Sequence, residues 1–313
     1  MSKVRDHGGG LDAAIHTYGG SRETWLDLST GINPQPYPLP EFTANDWGAL
    51  PDRKAQNDLL TAARTFWNVP TSAAILAAPG ASSLIARLPN VLPGQNVDIP
   101  KPTYNEHAAA YQAQGWREQQ ANADLRVLVH PNNPTGHFWS TADLTGAFNV
   151  VDESFCDIAP NASMIAQAAQ ENCLILKSFG KFWGLAGLRL GFVIGNPDIL
   201  AKLQDSIGPW AVSGPALRTA TAALSDHDWA GKTRNRLAQD SQRLDALMTQ
   251  QGATIAGGCD LFRLYHVDKA QSWQDRLAKH HVWSRIFPYS DTYLRLGLPP
   301  QDRWDQLSKA LNG

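Results

Sequence analysis

The sequence predicts an α/β protein whose mainly parallel central sheet is flanked by helices, with a smaller α+β domain at the C-terminal end. Predicted strands and helices alternate along the first two thirds of the 313 residues, which is typical of parallel sheets with right-handed crossovers. Beyond Pro215 the pattern changes to one long polar helix followed by short strands. We therefore divide the chain into an N-terminal arm over the active site (1–45), a large domain (46–214) and a small C-terminal domain (215–313).

Hydrophobic periodicity places the elements of the large domain. Residues 1–50 are rich in glycine and proline and show little periodicity, so we expect them to cover the active site rather than to fold alone. Further on, amphipathic runs indicate helices, and short apolar runs that end at glycine, proline or a polar residue indicate strands. In chain order we predict a helix at 58–68, a strand at 73–78, helices at 81–91 and 105–114, and strands at 126–130, 148–151, 172–176 and 190–194.

The C-terminal domain is predicted from the same two periodicities. The chain contains no internal repeat and no low-complexity tract, so one large domain with a small companion accounts for its length. We place helices at 228–251, 272–281 and 303–311 and strands at 254–256, 261–266, 282–287 and 293–296.

The composition excludes several classes of protein. A hydrophobic content of 43% and a charged content of 18% describe an ordinary globular protein. The formal net charge of -2 and the pI near 6.5 argue against a nucleic-acid or membrane-surface partner. No apolar stretch reaches membrane-spanning length, the first residues lack the apolar core of a signal peptide, and the three cysteines lie far apart. We expect a cytoplasmic protein with reduced, buried thiols.

One lysine, Lys181, stands in a loop of small and apolar residues between two predicted core strands. A hydroxyl, that of Ser178, lies three residues before it, and a guanidinium, that of Arg189, lies eight residues after it. A lysine amine can form a Schiff base with an aldehyde cofactor, while a hydroxyl and a planar guanidinium bind phosphate oxygens. The alternative is a glycine-rich surface loop with a stray lysine. The apolar flanks favour a covalent cofactor site.

Two polar residues at other strand ends can complete such a site. Asp152 follows the predicted strand at 148–151, where its carboxylate can face a pyridine nitrogen and keep it protonated. The alternative for a lone aspartate there is a helix cap or a turn. Asn133 stands in an Asn-Pro-Thr-Gly segment that is a turn in most proteins, although its amide can donate to a phenolic oxygen. Because the carboxyl ends of parallel strands gather ligands, we expect these residues, Gly80 and Ser178 to converge.

A turn of small residues precedes the predicted helix at 81–91. The N–H groups of Gly80, Ala81 and Ser82 can bind a phosphate there, although many helices begin with such residues and bind nothing. Tyr104 can stack on a pyridine ring, and as an isolated aromatic residue it can equally belong to the core.

Taken together, these motifs resemble the fold-type I pyridoxal-phosphate enzymes of the class I/II aminotransferase family. The resemblance spans nearly the whole chain, and it implies the transferase fold of that group, pyridoxal 5'-phosphate as cofactor and a homodimer. Four segments match in order and spacing: Asn133-Pro134-Thr135-Gly136, Asp152-Glu153, Ser178-x-x-Lys181 and Ala186-Gly187-Leu188-Arg189-x-Gly191.

The same resemblance implies a role for each candidate residue. Lys181 would form the Schiff base and Asp152 would pair with the pyridine nitrogen, and we take these two as the catalytic residues. Asn133 would meet the phenolic oxygen of the cofactor, and Tyr104 would stack on its ring. The cofactor phosphate would be held by Ala81, Ser82, Ser178 and Arg189, next to Gly80.

The chain departs from this family pattern at two places. Phe155 stands three residues after Asp152, where many relatives have a tyrosine, so the phenolic oxygen of the cofactor would lose one donor. The stretch Leu50-Pro51-Asp52-Arg53-Lys54-Ala55 lacks the tyrosine that crosses the dimer interface to the phosphate in relatives. The homodimer is therefore implied by the resemblance and not by these residues.

Two arginines on predicted strands of the C-terminal domain can bind substrate anions. Arg295 matches the family arginine that binds a substrate anion, usually the carboxylate, and Arg285 is a second candidate. Either can instead be an ordinary surface arginine in a salt bridge. Two arginines on adjacent apolar strands suit a substrate with two anionic groups.

The N-terminal segment resembles that of the threonine-phosphate decarboxylases of cobalamin biosynthesis, a group within this family. The resemblance implies that His7 helps to bind the substrate phosphate and that the segment with Gly31 and Asn33 borders the site. The matching stretches are Asp6-His7-Gly8-Gly9 and Asp27-Leu28-Ser29-Thr30-Gly31-Ile32-Asn33-Pro34.

From this resemblance we expect decarboxylation of L-threonine O-3-phosphate to (R)-1-aminopropan-2-yl phosphate. The substrate would displace Lys181 from the cofactor, lose carbon dioxide and take a proton back from Lys181. Two alternatives stay open: a pyridoxal-phosphate aminotransferase for a phosphorylated amino acid, of the histidinol-phosphate type, and a cofactor-binding protein without catalysis. The other histidines show no ligand spacing, and we predict no metal site.

Overall fold

The computed structural model describes residues 5–313, and contacts within the chain divide it into two units. The central unit comprises Pro36–Asn133 and Phe138–Lys232. The terminal unit comprises the described residues up to Gln35 together with Pro134–His137 and Thr233–Gly313. The boundaries between these two units do not coincide with the domain boundaries predicted after residues 45 and 214. The predicted division into an N-terminal arm, a large domain and a small domain stays a prediction.

The strands are numbered in chain order. They are β1 (Leu26–Asp27), β2 (Ala74–Ala78), β3 (Asn96–Asp98), β4 (Arg117–Glu118), β5 (Leu125–Val129), β6 (Phe148–Asp152), β7 (Cys173–Ser178), β8 (Gly191–Gly195), β9 (Thr254–Cys259), β10 (Phe262–His266), β11 (Val282–Trp283), β12 (Arg285–Phe287) and β13 (Ser290–Gly297). The sequence pattern does not predict β1, β3 or β4, because runs of two or three residues are too short to show a period. It also predicts one strand where β11 and β12 lie.

The α-helices are α1 (Leu11–Tyr18), α2 (Ala44–Gly48), α3 (Arg53–Phe66), α4 (Ala81–Val91), α5 (Asn105–Ala113), α6 (Pro197–Ile207), α7 (Gly214–Ser225), α8 (His227–Gln250), α9 (Ala270–Ala278) and α10 (Trp304–Asn312). Helices α1, α2, α6 and α7 are absent from the sequence prediction. Two of these helices, α6 and α7, begin with residues that favour the start of a helix. The side chain of Asn196 caps α6 and that of Ser213 caps α7, and a proline stands in the first turn of each helix.

The central unit contains a seven-stranded sheet in the order β2-β8-β7-β6-β5-β3-β4. From β4 to β7 the strands run parallel, whereas β8 is antiparallel to both β2 and β7. The prediction of a mainly parallel sheet is confirmed. Because β5, β6 and β7 end at Val129, Asp152 and Ser178, these residues lie at one edge of the sheet.

Helix α4 connects the core of the central unit to this edge. Its residues Leu84, Ile85 and Leu88 are almost completely buried in the main apolar cluster of the unit. Each such side chain contributes about 1.5–3 kcal/mol when it is buried. The packing fixes the helix on the sheet and thereby places its first residue, Ala81, at the carboxyl edge.

The terminal unit contains a four-stranded antiparallel sheet in the order β12-β13-β10-β9 and a parallel pair of β1 with β11. Helices α9 and α10 pack beside these strands. In the register of the antiparallel sheet, Arg285 on β12 lies opposite Arg295 on β13. The two predicted arginines therefore stand on neighbouring strands, as their sequence positions indicate.

Among residues 5–313, no helix has the combination of length and apolar character that crossing a bilayer requires. The three cysteines, Cys156, Cys173 and Cys259, are free and buried. Burial raises the pKa of the Cys173 and Cys259 thiols to about 12, so both stay protonated at neutral pH.

Candidate active site

A cavity of about 150 Å³ lies in the central unit at the carboxyl edge of the sheet. The last residues of three parallel strands line it, and the loop after β7 adds Lys181. Gly80, the ninth predicted cofactor-binding residue, directly precedes the helix that borders the cavity. The other eight all line the cavity: Ala81, Ser82, Tyr104, Asn133, Asp152, Ser178, Lys181 and Arg189.

The start of α4 and the side chain of Arg189 form a polar wall of this cavity. Gly80 has a φ of +85°, and a β-carbon there would lie 2.5 Å from Nη2 of Arg189, so the approach of the arginine requires glycine. Nη2 of Arg189 donates to Oγ of Ser82 at 3.1 Å. The first backbone N–H groups of a helix have no partner within it and attract anions. Together with the hydroxyl of Ser178, these groups can bind a phosphate.

Asp152 is the buried carboxylate of the cavity. Nε2 of His107 on α5 donates to Oδ2 of Asp152 at 2.8 Å, and the backbone N–H of Ser154 donates to Oδ1 at 2.9 Å. Burial alone would raise the pKa of Asp152, but the hydrogen bonds from His107 and Ser154 outweigh burial and hold this pKa below its usual value. Asp152 is therefore an anion at neutral pH and can pair with a protonated ring nitrogen.

Lys181 reaches the cavity from the loop between β7 and β8. A turn closed by a 3.1 Å hydrogen bond from the Gly184 N–H to the Lys181 carbonyl presents its side chain. Nζ of Lys181 lies 5.1 Å from the centre of the Phe155 ring, within the range of a cation–π contact. The ring of Phe155 makes the wall beside the lysine amine apolar.

His107 is fully buried and bonds Asp152, a role that the sequence does not predict. Its one sequence signal is its place three residues after Tyr104, one turn along the same helix. The two rings make an edge contact with their centres 6.1 Å apart. A polar residue one turn after a cavity residue is therefore a sequence signal for a group that supports the cavity.

His130, Glu153 and Cys156 present possible metal ligands within 4.8 Å of one another. Protein groups already bind the first two. Both ring nitrogens of His130 bond backbone groups, and a carboxylate oxygen of Glu153 lies 2.6 Å from Nζ of Lys177. A lysine ammonium at this distance competes with any cation, and we assign no ion to this cluster.

In the terminal unit, Arg285 binds the N-terminal segment. Nη1 and Nη2 of Arg285 each donate to one carboxylate oxygen of Asp6 at 2.6 Å, and Nη1 also donates to the His7 carbonyl at 2.6 Å. The fork of the predicted anion-binding arginine thus holds a carboxylate of the chain itself. His7 contributes its backbone carbonyl to this contact.

Arg295 lies opposite Arg285 and is 5% exposed. Its Nη2 donates to the carbonyl of Ser29 at 2.6 Å. Burial, and then the positive charge of Arg285, lower the pKa of Arg295 to about 10. The residue stays charged at neutral pH, and two neighbouring guanidiniums favour an anion beside them.

The remaining predicted substrate residues, Gly31 and Asn33, are buried in the segment that follows β1. Oδ1 of Asn33 accepts from Nη2 of Arg236 at 2.6 Å and from the N–H of Gln35 at 3.0 Å. All five predicted substrate-binding residues belong to the terminal unit. Their role toward a substrate stays a prediction.

Known proteins resemble this chain in sequence and in fold. The sequence model of the family described as aminotransferase class I and II matches residues 116–311. The chain is 40% identical to a threonine-phosphate decarboxylase of Sinorhizobium sp. and 35% identical to one of Pseudomonas aeruginosa, in both cases over 98% of this chain and 97% of that protein. The fold is similar to that of histidinol-phosphate aminotransferase from Sinorhizobium meliloti in complex with pyridoxal-5'-phosphate, with a TM-score of 0.82 and 20% identity over 99% of this chain and 94% of that one.

Proposed function

The chain belongs to the aminotransferase class I and II family, and we propose that within this family it is a pyridoxal-phosphate-dependent lyase that decarboxylates L-threonine O-3-phosphate. The product is (R)-1-aminopropan-2-yl phosphate, which serves cobalamin biosynthesis. The observation that carries the proposal is the near-full-length similarity to two threonine-phosphate decarboxylases.

The residues of the central cavity fit pyridoxal 5'-phosphate. Glycine at position 80 lets Arg189 approach the start of α4, which produces a site for a phosphate. Lys181 offers an amine to an aldehyde, and Asp152 offers an anion to a ring nitrogen. When bound, this cofactor supplies an electron sink for the negative charge left at the α-carbon of the substrate.

Three cavity residues have separate roles in the proposed reaction: Lys181, Asp152 and Phe155. Nζ of Lys181 would hold the cofactor, and once the substrate has freed this amine it would be the group that delivers a proton to the α-carbon in place of the departing carboxylate. The ionised carboxylate of Asp152 would keep a proton on the ring nitrogen of the cofactor. The apolar ring of Phe155 beside Nζ excludes water from one side of the lysine amine.

The two anionic groups of L-threonine O-3-phosphate require two cationic sites. Arg285 and Arg295, opposite each other on β12 and β13, supply them. The carboxylate of Asp6 meets the fork of Arg285 through two parallel hydrogen bonds, which is how a guanidinium also binds a substrate carboxylate or phosphate. His7 and the segment with Gly31 and Asn33 accompany these arginines in the same unit.

Carbon dioxide release tests the proposal. Purified protein with pyridoxal 5'-phosphate should release carbon dioxide from L-threonine O-3-phosphate without any keto acid, and Lys181→Ala should release none. The competing function is aminotransfer of the histidinol-phosphate type, which the likeness in fold to such an enzyme favours. Turnover of histidinol phosphate that requires 2-oxoglutarate and releases no gas would replace our proposal with that function.

We also propose that the protein is a homodimer. A groove of about 540 Å³ runs along the edge strand β2 and is lined mainly by apolar residues of β2, α3 and the segment after α6. Trp210 on this groove is 55% exposed, and Leu50, next to the lining residue Pro51, is 67% exposed. Exposed apolar surfaces of this kind mark contact sites between proteins. Light scattering should give the mass of a dimer for the wild type and that of a monomer for Trp210→Asp.

We place the protein in the cytoplasm. Its three cysteines are free and buried, which suits a reducing compartment. Fractionation of the native host should recover the protein with cytoplasmic enzymes, and recovery from a periplasmic or secreted fraction would contradict this placement.

A further inference from the structure

We propose that Asp157 and Trp183 are positioning residues for Lys181 and that they act through a buried ion network of the central unit. The network consists of Lys177, Glu153 and Asp157. The inference rests on the proposed function, because it concerns the placement of the lysine that holds the cofactor.

Lys177 lies inside the central unit between two carboxylates. Its Nζ is 2.6 Å from Oε2 of Glu153 and 3.5 Å from Oδ1 of Asp157, and none of the three side chains is more than 5% exposed. Burial alone would lower the pKa of Lys177, but the carboxylates of Glu153 and Asp157 outweigh burial and raise this pKa above its usual value. Lys177 is thus a buried cation that two anions share.

Further donors complete the network. Glu153 accepts hydrogen bonds from the backbone N–H of Met164 and the hydroxyl of Ser163. Asp157 accepts from the indole N–H groups of Trp67 at Oδ1 and Trp183 at Oδ2, each at 2.9 Å. Buried charges that are paired and hydrogen bonded hold one geometry, and removal of a single donor weakens that hold.

The network ties together two strand ends that carry cavity residues. Asp152 and Glu153 are consecutive at the end of β6, and Lys177 and Ser178 are consecutive at the end of β7. Successive side chains of an extended chain point to opposite faces. Here Asp152 and Ser178 line the cavity, while Glu153 and Lys177 pair with each other. The ion pair therefore fixes the spacing of the two strand ends from the face away from the cavity.

Trp183 joins this network to the lysine loop. It follows Lys181 by two residues, is fully buried, and stacks on Phe179 and on Trp229 with ring centres 5.1 and 5.4 Å away. Stacking fixes the plane of the indole, and the hydrogen bond to Asp157 fixes its position within that plane. The turn that presents Lys181 is therefore held in one place relative to Asp152.

The test compares two variants that each lose one indole N–H. Trp183→Phe keeps an aromatic ring in the stack and removes the donor to Asp157. Trp116→Phe is the matched control, because Trp116 is also buried in the central unit and donates to the Pro89 carbonyl at 3.0 Å, within the helix–sheet core. Both variants and the wild type are saturated with pyridoxal 5'-phosphate. One readout is the pH midpoint of the visible absorbance band. The others are the KM and the kcat for L-threonine O-3-phosphate, where kcat is divided by the number of cofactor-bearing lysines that borohydride traps in a parallel sample.

We expect Trp183→Phe to lower kcat about tenfold, with KM changed less than about twofold, because a small displacement of a reacting group costs rate and not binding. The pH midpoint of its visible band should shift, and Trp116→Phe should match the wild type in both readouts. Asp157→Ala should reproduce the loss of kcat, and Asp157→Asn, which still offers an oxygen to Trp183, should recover part of it.

Trp183→Phe with the kcat and pH midpoint of Trp116→Phe would overturn the inference, whatever its effect on thermal stability. A wild type that binds the cofactor but releases no carbon dioxide refutes the proposed function alone, since the absorbance still reports on the placement of Lys181. A wild type that binds no pyridoxal 5'-phosphate refutes both.

Discussion

Replacement of His107 by leucine removes a buried donor of Asp152 and leaves a side chain of comparable size. Nε2 of His107 and Oδ2 of Asp152 are 2.8 Å apart, and the two side chains are 0% and 3% exposed, so water cannot replace the lost hydrogen bond. A hydrogen bond to a charged group contributes about 1.5–3 kcal/mol. We therefore expect His107→Leu to lower the free energy of unfolding of the cofactor-free protein by about 2 kcal/mol at neutral pH.

The loss of unfolding free energy in His107→Leu should depend on pH, because it arises from the ionised form of Asp152. In the wild type the pKa of Asp152 lies below its value in the unfolded chain, which is near 4. Ionised Asp152 therefore stabilises the fold above about pH 4, and this stabilisation is lost as the pH falls through the lower pKa of the folded state. In His107→Leu the burial of Asp152 is opposed by one donor fewer, so the pKa of Asp152 rises and the stabilisation by its ionised form shrinks.

Urea unfolding followed by tryptophan fluorescence measures the effect. The difference in unfolding free energy between wild type and His107→Leu should grow as the pH rises from about 3 to 7. His16→Leu, at an exposed helical position, should show no such dependence. A difference that is constant over this pH range, or one below about 0.5 kcal/mol at neutral pH, would refute the reasoning.

Two further substitutions test the anion sites. Gly80→Ala places a β-carbon 2.5 Å from Nη2 of Arg189 at a φ of +85°. The affinity of the protein for pyridoxal 5'-phosphate, measured by equilibrium dialysis, should therefore fall about tenfold or more. An unchanged affinity would contradict the assignment of the phosphate site. Asp6→Asn weakens the ion pair between Asp6 and Arg285 and so leaves the guanidinium of Arg285 more available to an added anion. Because Asp6 is 41% exposed, we expect the affinity for inorganic phosphate, measured by calorimetry, to rise only about two- to fivefold. Asp12→Asn, which removes the same charge from an exposed ion pair, is the control, and equal affinities in both variants would argue against an anion site at Arg285.

The cavity residues could be predicted because their signals are local. Asp152 and Ser178 each end a short apolar run, and parallel strands bring such ends to one edge of a sheet. Lys181 and Arg189 stand out as the two charged residues of an otherwise small and apolar loop between two apolar strands. Even the direction of β8 follows from local reasoning, since the loop from β7 contains no crossover α-helix of the kind that parallel strands need.

The residues that support the cavity could not be found in this way. His107 lies in an alanine-rich helix, and its partner Asp152 is 45 positions away. Lys177 reads as the polar end of an apolar strand, yet its partner Glu153 directly follows the end of the neighbouring strand. The function of a buried polar residue is fixed by what faces it after folding, and one sequence shows only what precedes and follows it.

The network around Asp157 shows the same limit. The sequence presents Trp67, Trp183 and Asp157 as scattered residues in three separate segments, and none of them has a neighbour that suggests an ion site. The structure joins them through two indole hydrogen bonds. Only the assembled fold reveals that the tryptophans serve as donors as well as apolar packing.

The covalent attachment of the cofactor to Lys181 is tested most directly by trapping it. Borohydride reduction of the protein with bound pyridoxal 5'-phosphate, followed by peptide mass mapping, should place one phosphopyridoxyl group on Lys181 and none on the buried Lys177. A label on another lysine, or a label spread over several surface lysines, would contradict the assignment of this cavity as the active site.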